Sequence, residues 1–125
     1  MEKQKKNALY KSFGYAFEGI FAGIKKERNM KIHCLAMVLV LIAGAIFQLS
    51  PMKWCLCFVL FGLVMALELV NTSIEAVVDM VTEEQRPLAK LAKDTAAGAV
   101  LIAAIMAAVV GFIIFIPELM EFFTH

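Results

Sequence analysis

The chain has 125 residues, of which 62% are hydrophobic, and a formal net charge of +1. Soluble domains are roughly half apolar, so this composition excludes an ordinary soluble fold and leaves one compact bundle of membrane helices. Charge is spread unevenly: of 12 Lys and Arg, all but Lys53, Arg86, Lys90 and Lys93 lie before Ile32.

The basic opening MEKQKKN is not followed by a short apolar run with a small-residue cleavage site, so no removable signal peptide is expected. Residues 7–31 read as a surface helix and hinge. Leu9, Phe13, Ala16, Phe17, Ile20 and Ile24 share one side of a helix, with Lys11, Gly14, Tyr15, Glu18 and Lys25 on the other. That amphipathic pattern suits the membrane interface. The charged hinge Lys25-Lys26-Glu27-Arg28-Asn29-Met30-Lys31 follows.

Residues 32–49 are almost wholly apolar and span about one bilayer thickness at roughly 1.5 Å per residue. His33 stands alone among them and reads as structural. Ser50-Pro51-Met52-Lys53 is a short turn, with Pro51 barring continuation of the first span. The second span, 54–81, starts at Trp54 and would measure roughly 42 Å against a hydrocarbon core of roughly 30 Å. Its Glu75 and Asp79 end is therefore expected to emerge into headgroups or water. Residues 82–94 read as a polar connection and 95–117 as a third span. Ala96, Gly98, Ala103, Ala107 and Gly111 would let that helix approach its neighbours closely. The fold class is thus all-α and integral to the membrane, an amphipathic surface helix plus three transmembrane helices per subunit. Basic residues concentrate in the N-terminal region and the 82–94 loop, so both are expected in the cytoplasm, with the C-terminus outside.

Cys34, Cys55 and Cys57 lie in apolar segments without metal-binding spacing and read as small buried hydrophobes. The informative residues belong to the second span. Glu68, Asn71, Thr72, Glu75 and Asp79 follow helical steps of three and four, so they project from one face. Carboxylates are costly to desolvate, and a helix that only crossed lipid would carry none. With Glu27, Lys93 and Asp94 expected at the same membrane boundary, charges lie near water and Glu68 lies about 10 Å deeper.

That grading suits phosphoryl transfer, which needs a divalent ion, cations for the phosphates and a base for the attacking hydroxyl. Glu27 and Glu75 would supply hard oxygen ligands to Mg²⁺. Lys93 would hold a phosphate, and Glu68 would meet the hydroxyl of a lipid. Asn71 would orient Glu68 or the phosphates. Blander readings stand beside these. Glu27 is also a solvated charge between Lys26 and Arg28, Lys93-Asp94 also a helix-start pair with Asp94 as cap, and Asp79 also an exposed helix-end acid. Glu-to-Lys pairing within the bundle is the alternative for the buried acids. Gly14-Tyr-Ala-Phe-Glu-Gly19 continues with Ile20-Phe21, so it is not a P-loop.

Glu68-Leu-Val-Asn71-Thr-Ser-Ile-Glu75-Ala-Val-Val-Asp79, with Ala92-Lys93-Asp94 and the run at 97–102, closely resembles the signature of the prokaryotic diacylglycerol kinase family. The resemblance includes Tyr15, Gly19 and Glu27 and covers nearly the whole chain. It implies a homotrimeric membrane kinase that transfers the γ-phosphate of ATP to a lipid hydroxyl with Mg²⁺, at sites built between subunits. It makes Glu68 the catalytic base and Glu27 and Glu75 the metal ligands. Tyr15, Asn71, Lys93 and Asp94 become nucleotide contacts together with Asp79, and Glu84 and Arg86 are further candidates. Glu27-Arg-Asn-Met-Lys-Ile-His33 and Arg86-Pro-Leu-Ala-Lys resemble the Gram-positive branch, whose members phosphorylate undecaprenol. Gram-negative members tend to carry an acid where His33 stands, and diacylglycerol is the alternative substrate. Membrane lipids are the expected surroundings, and no nucleic-acid partner is expected. From the residues alone, a proton-coupled transporter and an assembly subunit joined by its polar stripe are the competing functions.

Overall fold

A computed structural model describes all residues from Met1 to His125, as four helices and no strands: α1 (Glu2–Lys26), α2 (Arg28–Phe47), α3 (Pro51–Val81) and α4 (Pro87–Thr124). The last three are each long and apolar enough to cross a membrane, so the chain is a membrane protein. The breaks have local causes. Glu27 is extended, with φ −97° and ψ 123°, and separates α1 from α2. Gln48 adopts the left-handed conformation at φ 53°, and the Leu49 N–H then closes onto the Gly44 carbonyl at 3.1 Å. Ser50 caps α3 by accepting from the Lys53 N–H, and Pro51 starts it, where no backbone donor is needed.

Several boundaries differ from the sequence reading: α2 already begins at Arg28, inside the expected hinge, and α3 at Pro51, inside the expected turn. The first helix begins at Glu2, five residues ahead of Asn7. More consequentially, α4 begins at Pro87, so the connection from α3 is only 82–86. Lys90, Lys93 and Asp94 therefore ride on the first two turns of α4, and Asp94 is no helix cap because Arg86 holds that position. The helix also runs through Pro117 to Thr124.

α3 and α4 form the main antiparallel pair, with α2 leaning on α3. The α3 residues turned inward are Cys57, Val64, Glu68 and Asn71, spaced by seven, four and three as one helical face requires. Opposite them α4 buries Ala96, Val100 and Ala103, whose small size brings the two backbones together. The far end is closed by Leu49, Cys57 and Ile114. Phe47 meets Phe115 and Phe122 there with ring centroids 6.3 and 5.7 Å apart. Lys53 Nζ donates to Glu118 Oε1 at 2.6 Å across the same end. Most other large apolar side chains are exposed, as lipid-facing residues are. The apolar face of α1 is likewise unpartnered, with Leu9, Phe13 and Phe17 all exposed. Of the cysteines expected to be buried, Cys57 is; Cys34 is half-buried and Cys55 faces outward.

The α2–α3 hairpin turns on one close approach. A Cβ on Gly44 would lie 2.5 Å from the Trp54 ring, and a packed indole has little freedom to yield. Gly44→Ala is therefore expected to destabilise the protein by about 1–3 kcal/mol through overpacking. A lowered thermal midpoint in detergent, with helix content retained at low temperature, is the result that checks it.

Candidate active site

Glu68 is the most unusual residue of the core, with only 2% of its surface exposed. An ionisable group so buried calls for a partner, and α2 provides one: His33 Nε2 lies 3.3 Å from Glu68 Oε1. His33, which reads as structural in the sequence, is thus the ionisable neighbour of the buried acid. The signal was present in the hairpin. With a turn of only a few residues after Phe47, positions equally far from that turn face each other, and His33 falls within one helical turn of Glu68. The Thr72 hydroxyl is occupied elsewhere, donating to the Glu68 backbone carbonyl at 3.0 Å.

One turn nearer the α3–α4 connection, Asn71 Nδ2 donates to Glu75 Oε1 at 3.3 Å. Asn71 is buried and its Oδ1 has no partner. Unpaired buried acceptors are uncommon and call for an explanation. Further along, Lys93 Nζ reaches Asp79 Oδ1 at 2.6 Å. That hydrogen bond raises the Lys93 pKa above the ordinary lysine range, against desolvation and with added help from the charges of Asp79 and Glu75. A raised ammonium pKa means that the pair is intact at neutral pH and is lost only as pH climbs through the lysine range. Lys90 pairs with Asp94 one turn apart, and Arg86 lies 3.5 Å from Glu84. Glu84, Lys90, Lys93 and Asp94 line a polar cavity of about 290 Å³ between the ends of α3 and α4.

The fold thus gathers Asn71, Glu75, Asp79, Lys93, Asp94 and Glu84 around the open end of the α3–α4 pair. Arg86 stands at its edge. Tyr15 is exposed on α1, and Glu27 is half-buried at the α1–α2 break. Neither makes a side-chain hydrogen bond or ion pair with the others within the subunit. By helix rise Glu27 stands about 9 Å above His33 and Glu75 about 10 Å above Glu68, so both acids reach a similar level.

Below the Glu68–His33 pair lies a feature that the sequence did not disclose. An apolar groove of about 440 Å³ runs between α2, α3 and α4, with His33 and Ala36 at one end and Cys57, Ile114 and Phe115 at the other. Ala104, Ala107, Ala108 and Gly111 line it. The small residues that read as helix-packing surface in the sequence thus also leave open space.

A charged, water-facing cluster above a buried acid, and an apolar groove beneath it, define a membrane protein that meets a polar substrate on one side and a lipid on the other. The family model for prokaryotic diacylglycerol kinase matches residues 14–115. Undecaprenol kinase of Bacillus subtilis is 44% identical over 113 residues, covering 90% of this chain and 92% of that protein. Diacylglycerol kinase of Synechocystis is 42% identical over 114 residues, 90% of this chain and 65% of that protein. Diacylglycerol kinase of Escherichia coli K12 is 32% identical over 101 residues, 81% of this chain and 83% of that protein. The chain belongs to the prokaryotic diacylglycerol kinase family and is a lipid kinase, an ATP-dependent phosphotransferase.

Kinases of this kind work with a divalent cation, and the residues present fit one. The orphaned Asn71 Oδ1 beside the Glu75 carboxylate is a pair of hard oxygens with spare lone pairs, the donor type such ions prefer. No three acids, histidines or cysteines of the subunit converge on one point. The chain therefore offers part of a coordination shell, which suits an ion that also takes phosphate oxygens and water.

Proposed function

We propose that the protein phosphorylates undecaprenol, transferring the γ-phosphate of ATP to the lipid hydroxyl to give undecaprenyl phosphate and ADP. The observation that carries the choice of lipid is the groove beneath Glu68. At about 440 Å³ it lies within the roughly 300–1,000 Å³ of ordinary ligand pockets, and its lining offers almost nothing polar beyond His33. A polyprenol carries no polar atom beyond its hydroxyl. Diacylglycerol would bring ester carbonyls close to the reacting hydroxyl and leave them without donors in such a groove. The likeness to the Bacillus subtilis undecaprenol kinase supports the same choice.

In this reading the lipid hydroxyl enters beside Glu68, whose carboxylate takes its proton as the oxygen bonds to the γ-phosphorus and the bond to the ADP oxygen breaks. Glu75, Asn71 and Glu27 would hold Mg²⁺. Such an ion neutralises phosphate charge in a loose, phosphate-centred transition state. Lys93, held by Asp79 at 2.6 Å, points a cation into the polar cavity that Glu84 and Asp94 also line, and ATP phosphates are its natural counter-charge. Tyr15 and Arg86 would contact the nucleotide from the edge. The basic hinge and the 82–94 segment face the cytoplasm by charge, which supplies ATP from the correct side. The chain works as a homotrimer in which a neighbouring subunit completes the site, consistent with the exposed positions of Tyr15, of the Asp79–Lys93 pair between α3 and α4 and of the Lys90–Asp94 pair within α4.

Phosphate transfer to undecaprenol and to diacylglycerol, measured side by side in mixed micelles, tests the choice of lipid. Undecaprenol is expected to be the better substrate by kcat/KM. Ala107→Leu, which narrows the groove, is expected to raise the KM for undecaprenol and leave that for ATP unchanged. Preference for diacylglycerol would keep the kinase and overturn the substrate.

A further inference from the structure

We infer that His33 is a positioning residue for the reaction, holding one oxygen of the Glu68 carboxylate so that the other faces the lipid hydroxyl. The inference rests on the proposed role of Glu68 as base. Its first support is proximity: His33 Nε2 is 3.3 Å from Glu68 Oε1, with Glu68 2% and His33 22% exposed.

The second is elimination. Every other basic side chain that forms an ion pair does so elsewhere: Lys53 with Glu118, Arg86 with Glu84, Lys90 with Asp94 and Lys93 with Asp79. No other side chain bonds the Glu68 carboxylate. An ionised carboxylate only accepts, so a hydrogen bond across this 3.3 Å contact needs the proton on Nε2. Contacts between catalytic groups are often long without substrate and tighten when it binds.

The third is location. His33 also lines the apolar groove, so one imidazole touches both the base and the space proposed for the lipid tail. Its effect on the reaction is geometric. A carboxylate free to rotate in an apolar setting spends little time aimed at the hydroxyl, and misplacement of about 1 Å at a reacting group costs about 100-fold in rate. Oε1 held by His33 leaves Oε2 to receive the proton.

The test uses the full-length protein in micelles with ATP and undecaprenol. His33→Leu is expected to lower kcat by about 10–100-fold, with the KM for ATP and the helix content unchanged. His33→Gln, whose amide can still donate toward Oε1, is expected to recover most of the lost rate. His33→Asn, polar but shorter, should not recover it and guards against misassembly of the leucine variant. In a Glu68→Asp background, whose carboxylate is drawn back from the imidazole, His33→Leu should add little further loss. Wild-type kcat in His33→Leu, equal loss in the leucine and glutamine variants, or a full additional loss in the Glu68→Asp background would each overturn the inference. Glu68→Gln separates the two levels. If that variant turns over normally, the base assignment and this inference fail together; if it is inactive while His33→Leu is normal, only the inference about His33 fails.

Discussion

Glu68→Gln is expected to cut phosphate transfer to undecaprenol by about 10²–10⁴-fold, the usual contribution of a general base, with assembly and nucleotide binding preserved. Glutamine keeps the shape of the side chain and still accepts from His33 through its amide oxygen, so the core that holds Glu68 at 2% exposure has no reason to rearrange. It removes the one property that the proposed mechanism needs, a basic oxygen aimed at the hydroxyl. Exchanging a buried carboxylate for a neutral group also relieves its desolvation cost, so stability should hold or rise. An assembly subunit predicts the reverse pattern, loss of oligomer with little else to lose. A proton-coupled transporter predicts proton flux in liposomes without ATP. Single-turnover transfer of labelled phosphate, sedimentation in detergent and proton flux in liposomes together distinguish all three, and normal transfer in the variant would remove Glu68 as the base.

Much of this layout was legible in the sequence because the bilayer imposes simple rules. Runs of apolar residues long enough to cross it, set off by the charged hinge at 25–31 and by the turn at Ser50-Pro51, gave the spans, although the helix break itself is confined to Glu27. The cost of burying polar groups singled out Glu68, Asn71 and Glu75; Glu68 and Asn71 are the two buried polar residues of the fold, and Glu75 is half-buried. What failed did so where local composition and helix signals disagree. Thr82–Asp94 is polar enough to read as a loop, yet Pro87 is an ordinary first residue of a helix, and α4 starts there. As a consequence Lys93 lies on a rigid helix opposite Asp79, a pairing that polarity alone does not reveal. His33 was discounted because one histidine in an apolar run is ambiguous until the hairpin register is known. The groove was invisible for a related reason: alanine and glycine at 104–111 signal close packing equally well, and only the splay of α2 from α4 decides between contact and space.

Glu75→Gln tests the other half of the site and is expected to lower kcat/KM for the ATP–Mg²⁺ pair by about 100-fold, the upper end of the loss that follows disturbance of a metal site. The amide retains an oxygen for the 3.3 Å bond from Asn71 Nδ2, so the α3 backbone and the orphaned Asn71 Oδ1 stay where they are. What is lost is one negative charge next to that oxygen, and a hard dication binds carboxylate far better than amide. Raising the Mg²⁺ concentration should therefore restore part of the rate in Glu75→Gln but not in Glu68→Gln, whose defect is not in ion binding. Asp79→Asn provides the electrostatic control. It removes the negative charge opposite Lys93 and leaves only an amide oxygen in its 2.6 Å partner position, without touching Asn71 or Glu75, so its loss should appear in the KM for ATP and should not respond to Mg²⁺. Titration of turnover against Mg²⁺ in the three variants reads all of this in one experiment. Equal Mg²⁺ dependence in Glu75→Gln and the parent would exclude Glu75 as a metal ligand and leave it as a structural partner of Asn71.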